Sequence, residues 1–107
     1  MKTIAIGQCY RFASKMAAAS TDEQFSNLSK FKVIHGSVTD KFSGETFAHA
    51  WVEIGDLVFD YQTSNTNPNG IARSVYVDLY QPETVNEYTA EQTTINCLRQ
   101  GHHGPWS

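Results

Sequence analysis

Up to Ala19 the chain places apolar side chains at helical spacing, whereas from Phe31 onward it alternates β-branched and aromatic residues with polar ones. The two periodicities predict a helix followed by a strand-rich region. Residues 9–19 (CYRFASKMAAA) are strong helix formers with Phe12, Ala13, Met16 and Ala17 on one face. Ser20 with Glu23 three residues later has the form of a capping box, which predicts a short second helix over 21–29. Strands are predicted at 31–39 (FKVIHGSVT), 46–54 (TFAHAWVEI), 57–62 (LVFDYQ) and 74–80 (SVYVDLY). The first two are joined by DKFSGE, and the second and third by the two-residue Gly55-Asp56 turn, which suits a type II′ hairpin. Residues 63–73 (TSNTNPNGIAR) read as a polar loop. Thr89 opens a last helix that Gly101 stops, and HHGPWS is left as a tail. The expected fold class is α+β: an N-terminal helix packed on a small antiparallel β-sheet, with a C-terminal helix, in one domain spanning 1–107.

The Gly55-Asp56 turn fixes which side chains share a face. Counting outward, Ile54 faces Leu57, Val52 faces Phe59 and Ala50 faces Tyr61, an almost wholly apolar set on one side. The other side carries Glu53 with Val58, Trp51 with Asp60 and His49 with Gln62. His49 and Asp60 are then diagonal neighbours about 7 Å apart at the backbone, within reach of an imidazole and a carboxylate that lean together. A slip of one residue would turn the apolar set to the wrong side.

Charge and composition narrow the function classes. The chain has 107 residues, 40% of them hydrophobic, and a net charge of −3 with its eight basic residues scattered. Nothing resembles the basic stripe that nucleic acid or an anionic membrane surface requires, so neither partner is expected. The start, MKTIAIGQC, has a lysine before apolar residues, but its apolar run is too short for a signal peptide, and Gln8 stands where a lipobox needs a small residue. The expectation is a soluble, cytoplasmic protein. Cys9 and Cys97 are too few for a disulfide framework and are expected as thiols. Cys97, His102 and His103 lack the spacing of a metal site, so no metal and no cofactor is expected.

A thiol becomes a strong nucleophile when a neighbouring base takes its proton, and a histidine held by a carboxylate is such a base. Cys9 at a helix start, His49 on a strand and Asp60 on the returning strand supply the three groups, with the helix dipole favouring an anion at Cys9. Read singly, a histidine on a strand or an aspartate beside a tryptophan is most often structural. Their conjunction is what points to catalysis.

These residues resemble the papain-like cysteine enzymes, most closely their transglutaminase-like branch. The segments that carry the likeness are GQCYRFA, HGSV at 35–38 and AHAWVEIGDLVFDYQ at 48–62. The resemblance implies a nucleophile at Cys9, a base at His49 and an orienting carboxylate at Asp60. In papain a glutamine before the nucleophile helps form the oxyanion hole; here the nearby glutamine is Gln8, directly adjacent, and with the Cys9 backbone N–H it is the candidate donor. Trp51, Gln62 and His35 are candidates for a substrate groove, and Gln62 is also an alternative orienting group for His49. A structural hydrogen bond is the plainer role for His35. The expected activity is acyl transfer on a peptide or amide bond through a thioester, as in a peptidase, amidase or deamidase, with a peptide or protein as substrate. The rival expectations are a catalytically silent binding or inhibitor protein of the same fold, and an effector that deamidates or transglutaminates one protein target.

Overall fold

The sheet grows outward from a long central hairpin. In the structure, a computed structural model that describes residues 6–19, 31–63, 66–104 and 106, strand β1 (Phe31–Thr39) pairs along its whole length with β2 (Thr46–Ile54). Strand β3 (Leu57–Phe59) lies on the far side of β2, and a two-residue β4 (Ile71–Ala72) beyond it. Strand β5 (Glu83–Thr89) closes the other edge beside β1, giving an antiparallel order β4-β3-β2-β1-β5. Helix α1 (Ile6–Ala19) and helix α3 (Ala90–Gln100) pack against each other and the sheet, and helix α2 (Arg73–Tyr80) follows β4. The fold is therefore α+β, as the periodicity predicts.

Alternation along β1 and β2 creates two cores. Phe31, Val33, Ala50 and Val52 pack with Cys9, Tyr10, Ala13 and Ala17 of α1. Alanines at 13 and 17 leave no bulk between helix and strands, so the backbones approach closely. The opposite face holds Ile34, Val38, Trp51 and Val58 around Tyr76 of α2. Full burial of each large apolar side chain stabilises by roughly 1.5–3 kcal/mol, so both faces of the sheet contribute to stability.

The hairpin register is as expected for three pairs, Ile54 with Leu57, Glu53 with Val58 and Val52 with Phe59. At the turn Gly55 adopts φ +61° while Asp56 keeps a negative φ, the combination of a type II′ turn. Helix α3 begins at the expected place: Thr89 and Gln92 exchange both bonds of a capping box, and Gly101 closes the other end.

Several expectations need correction. Helix α1 starts at Ile6, so Cys9 is its fourth residue and the amides left unpaired by the helix start belong to the residues before it. The third strand ends at Phe59 rather than at 62, because Tyr61–Thr63 turn into a 3-10 helix. Residues 74–80 are helical, although their β-branched and aromatic content predicted a strand. Tyr76 and Tyr80 stack one turn apart with ring centroids at 4.9 Å, and Tyr76 is fully buried, so tertiary packing overrides local preference. Strand β5 was not foreseen, having only Tyr88 even half-buried. The tail folds back: Ser14 Oγ donates to the His103 carbonyl at 3.3 Å, and Trp106 is 9% exposed with its Nε1 donating to the His102 carbonyl at 2.9 Å. The predicted helix over 21–29 lies outside the described residues.

Among the described residues no helix is long and apolar enough to cross a membrane. Cys9 and Cys97 are not joined in a disulfide, and Cys97 Sγ lies 3.8 Å from His103 Nδ1. No group of three or more histidine, cysteine or acidic side chains among those residues is arranged to hold a metal ion.

Candidate active site

The early end of β3 makes the site. Beyond Val52, β2 pairs on that side with none of the described residues, and the chain that leaves Phe59 turns Asp60 inward under the 3-10 helix. The turn is held by three bonds to Asp60 itself: the Thr63 N–H and hydroxyl donate to its carbonyl at 3.1 and 3.3 Å, and the Gln62 N–H to its Oδ1 at 3.0 Å. This presents the carboxylate to His49, whose Nε2 donates to Oδ1 at 3.0 Å and Oδ2 at 2.9 Å. The register argument placed these two residues together for nearly the right reason. Asp60 arrives from a turn rather than from a ladder position opposite Trp51.

A third donor completes the carboxylate. Tyr76 Oη reaches across from α2 and donates to Asp60 Oδ2 at 2.5 Å. With bonds from an imidazole, a phenol and a backbone amide, the buried acid is fully satisfied as an anion. Burial first, and then the negative charge of Asp60, keep the Tyr76 phenol protonated far above its ordinary range. Sequence reasoning missed Tyr76. The i, i+4 spacing of Tyr76 and Tyr80 puts both on one face of a helix and of a strand alike, so it carried no signal.

Cys9 approaches the imidazole from α1. Burial is the largest influence on His49 and pushes its pKa down, but the Asp60 carboxylate and Cys9, by hydrogen bonding and by charge, outweigh it and raise the value from 6.5 to about 9. Nε2 is committed to Asp60 and Nδ1 is buried without a hydrogen-bond partner among the described residues, which leaves Nδ1 as the nitrogen open to the thiol. At neutral pH the ring is an imidazolium between an acid and a sulfur.

The structure therefore brings Cys9, His49 and Asp60 together and encloses them, at 0%, 1% and 1% exposure. The other candidates fall elsewhere. Gln8 is exposed beside Cys9. Trp51 is not a groove wall: it is fully buried between His49 and Tyr76, with its Nε1 donating to Glu53 Oε2 at 3.0 Å, because its large ring fills the core beneath α2. Gln62 serves the site through its backbone N–H, while Asp60 holds His49. Gln62 also lines a cavity of about 420 Å³ with Phe47, Leu79 and Tyr80. That cavity adjoins the site, since Phe47 packs edge-on to His49 at 5.8 Å and Tyr80 stacks on Tyr76. His35 lies across the sheet from His49, on the face packed by α1, and makes no hydrogen bond through its ring among the described residues.

Compared with models of protein families, with curated proteins and with solved structures, the chain matches none.

Proposed function

We propose that the protein is a cysteine-dependent acyl-transfer enzyme acting on a peptide or amide bond, in the manner of a peptidase, amidase or deamidase. The observation that carries this reading is the enclosed group of Asp60, His49 and Cys9, in which Asp60 holds Nε2 of the ring and Cys9 acts with Asp60 to raise the pKa of the same ring. The Cys9 thiolate attacks the acyl carbon, forming a C–S bond. The imidazolium gives its Nδ1 proton to the leaving nitrogen as the C–N bond breaks, leaving a thioester and neutral His49. Water, or an amine in a transferase, then attacks the thioester while His49 takes its proton and restores the thiolate. Asp60 keeps Nε2 protonated throughout, and Tyr76 and Gln62 keep Asp60 in place. Gln8, exposed and next to Cys9 in the chain, is the candidate oxyanion donor. The resemblance to papain-like enzymes supports the same roles. Cys9 and Cys97, kept as thiols rather than a disulfide, accord with a reducing compartment such as the cytoplasm.

One observation favours a second reading. Cys9 is fully covered, so a substrate reaches it only when the cover opens, and a chain that never opens is a silent binding protein built on the same network.

Iodoacetamide in limiting amount at pH 6, followed by peptide mapping, separates the two readings. The enzyme reading predicts labelling of Cys9 ahead of the more accessible Cys97, lost on His49→Ala. Labelling of Cys97 alone supports the silent protein.

A further inference from the structure

The hairpin of β1 and β2 leaves part of its own edge open beside His49. The Asp40 N–H donates to the Glu45 carbonyl at 2.8 Å, and in an antiparallel ladder bonded pairs alternate with unbonded ones. Counted from that pair, Phe47, His49 and Trp51 turn their backbone groups toward β1, while Thr46 and Ala48 turn theirs away from it. The two-residue turn at Gly55-Asp56, closed by Ile54 with Leu57, gives the same assignment when counted back along β2. Strand β3 takes up this outer row only from Val52 onward, so the N–H and C=O groups of Thr46 and Ala48 pair with no backbone group among the described residues. Both residues are exposed. Such an edge is a template for a further strand.

A cavity borders the same stretch. Its volume of about 420 Å³ lies within the roughly 300–1,000 Å³ of ligand-binding clefts. Phe42 and Phe47 of the hairpin and Leu79 and Tyr80 of α2 supply apolar walls. Phe42 is 98% exposed, so its ring contributes to neither core. The charged groups at the rim have partners of their own: Lys41 pairs with Asp78 at 3.8 Å, and Asp40 Oδ1 accepts from the Phe42 and Ser43 N–H groups at 2.8 and 3.3 Å. The cavity is on the sheet face of His49, since Phe47 packs edge-on to that imidazole and Tyr80 stacks on Tyr76, the phenol that holds Asp60.

We infer that this edge and cavity together dock an extended peptide segment with a large apolar side chain, added to the sheet beside β2. Strand addition takes its affinity from main-chain hydrogen bonds and its specificity from pockets for alternate side chains. Thr46 and Ala48 each offer one N–H and one C=O. A peptide residue opposite Phe47 puts its side chain on the face of Phe47, with Cβ atoms roughly 4.5–5.5 Å apart, and so over the cavity. Its two neighbours point to the other face. Walls of aromatic and aliphatic carbon, with the rim charges engaged, fit phenylalanine or leucine there better than a charged side chain. The open stretch from Thr46 to Ala48 is short, which suits a peptide rather than the long self-complementary surface of a stable dimer. Docking itself does not depend on the acyl-transfer reading. Its use rests on that reading: the docked segment is then part of the substrate, recognised next to the residue that Ala48 precedes, His49.

The peptide acetyl-STFTS-amide titrated into ¹⁵N-labelled Cys9→Ala protein tests the binding apart from any turnover. The Thr46 and Ala48 amide signals should shift saturably, with a dissociation constant of about 1 mM or lower. Acetyl-STATS-amide should bind at least about tenfold more weakly, because it has no ring to bury. N-methylation of the two threonines that flank the phenylalanine removes their N–H donors and should abolish the response. Phe42→Ala, at an exposed position, should stay folded by circular dichroism and weaken binding of the phenylalanine peptide by about threefold or more. No saturable shift at Thr46 and Ala48, equal binding of the phenylalanine and alanine peptides, or movement of the same signals with protein concentration alone overturns the proposal, the last by giving the edge to a second copy. If the peptide binds but limiting iodoacetamide labels Cys97 alone in the parent protein, the docking site stands and the acyl-transfer reading falls. Labelling of Cys9 first, without peptide binding, keeps that reading and ends the docking site.

Discussion

Two histidines sit almost back to back in this sheet, His35 on the face toward α1 and His49, paired with the neighbouring Gly36, on the face toward α2. Both are removed from water, yet burial has opposite outcomes. His49 meets a carboxylate and a thiol and is held as a cation, with its pKa raised to about 9. His35 meets aromatic rings and no charged partner among the described residues, and is held neutral, with its pKa lowered to about 4. Desolvation works against charge at both positions; partners decide which wins. A buried imidazole is thus held charged or neutral according to what surrounds it.

The largest effect expected from disturbing this contrast is on turnover. Cys9→Ala should lower activity on a cleaved amide substrate by on the order of 10⁴–10⁶, with circular dichroism unchanged. Activity near that of the parent would remove Cys9 from the chemistry. Asp60→Ala leaves a buried imidazole and the Tyr76 phenol without their shared acceptor. Urea denaturation should then show a loss of about 3–5 kcal/mol. A loss below about 1 kcal/mol would mean that the pair is not buried as described.

Next comes the dependence of stability on pH. His35 binds protons more readily unfolded, at 6.5, than folded, at about 4, so its contribution is intact above pH 6.5 and falls away as the pH drops toward 4. The loss should be about 3 kcal/mol, from about 1.4 kcal/mol per pKa unit. His49 behaves in the opposite sense: its contribution is intact below pH 6.5 and is lost as the pH rises through about 9. Denaturation midpoints against pH should therefore peak between slightly acidic and neutral pH. Tyr76→Phe removes one donor to the charged acid and should cost about 1.5–3 kcal/mol. The smallest change is His35→Phe. Stability at pH 7 should be unchanged or higher by about 1 kcal/mol, since an unpaired polar ring gives way to an apolar one of like shape. The acid limb of the pH profile should flatten. An unaltered acid limb would show that another group governs it.

The parts of this arrangement legible from sequence are those set by local register. Alternation around Gly55-Asp56 put His49 and Asp60 on a common side, and the helical spacing of residues 9–19 gave most of α1. What stayed hidden depends on distant contacts. Asp60 turns inward because the chain leaves the ladder at Phe59, a departure decided by the 3-10 turn and not by strand preference. SVYVDLY has the composition of a strand and becomes helical because Tyr76 fills the space over Trp51 and reaches the carboxylate. The box around His35 draws on Tyr10, Tyr88 and Trp106, which lie far apart in the chain. The exposed pattern of β5 gives no apolar face to read, and its pairing with β1 appears only in the fold.

The most direct measurement is the NMR titration of His49 in ¹⁵N-labelled protein between pH 5 and 10, with Cys9→Ala and Asp60→Asn alongside. The imidazole should remain protonated at pH 8, titrate near pH 9, and lose protons at lower pH in both variants, more so without the carboxylate. A midpoint at or below 6.5 in the parent, unmoved by either substitution, would mean that sulfur, ring and acid do not act as one unit.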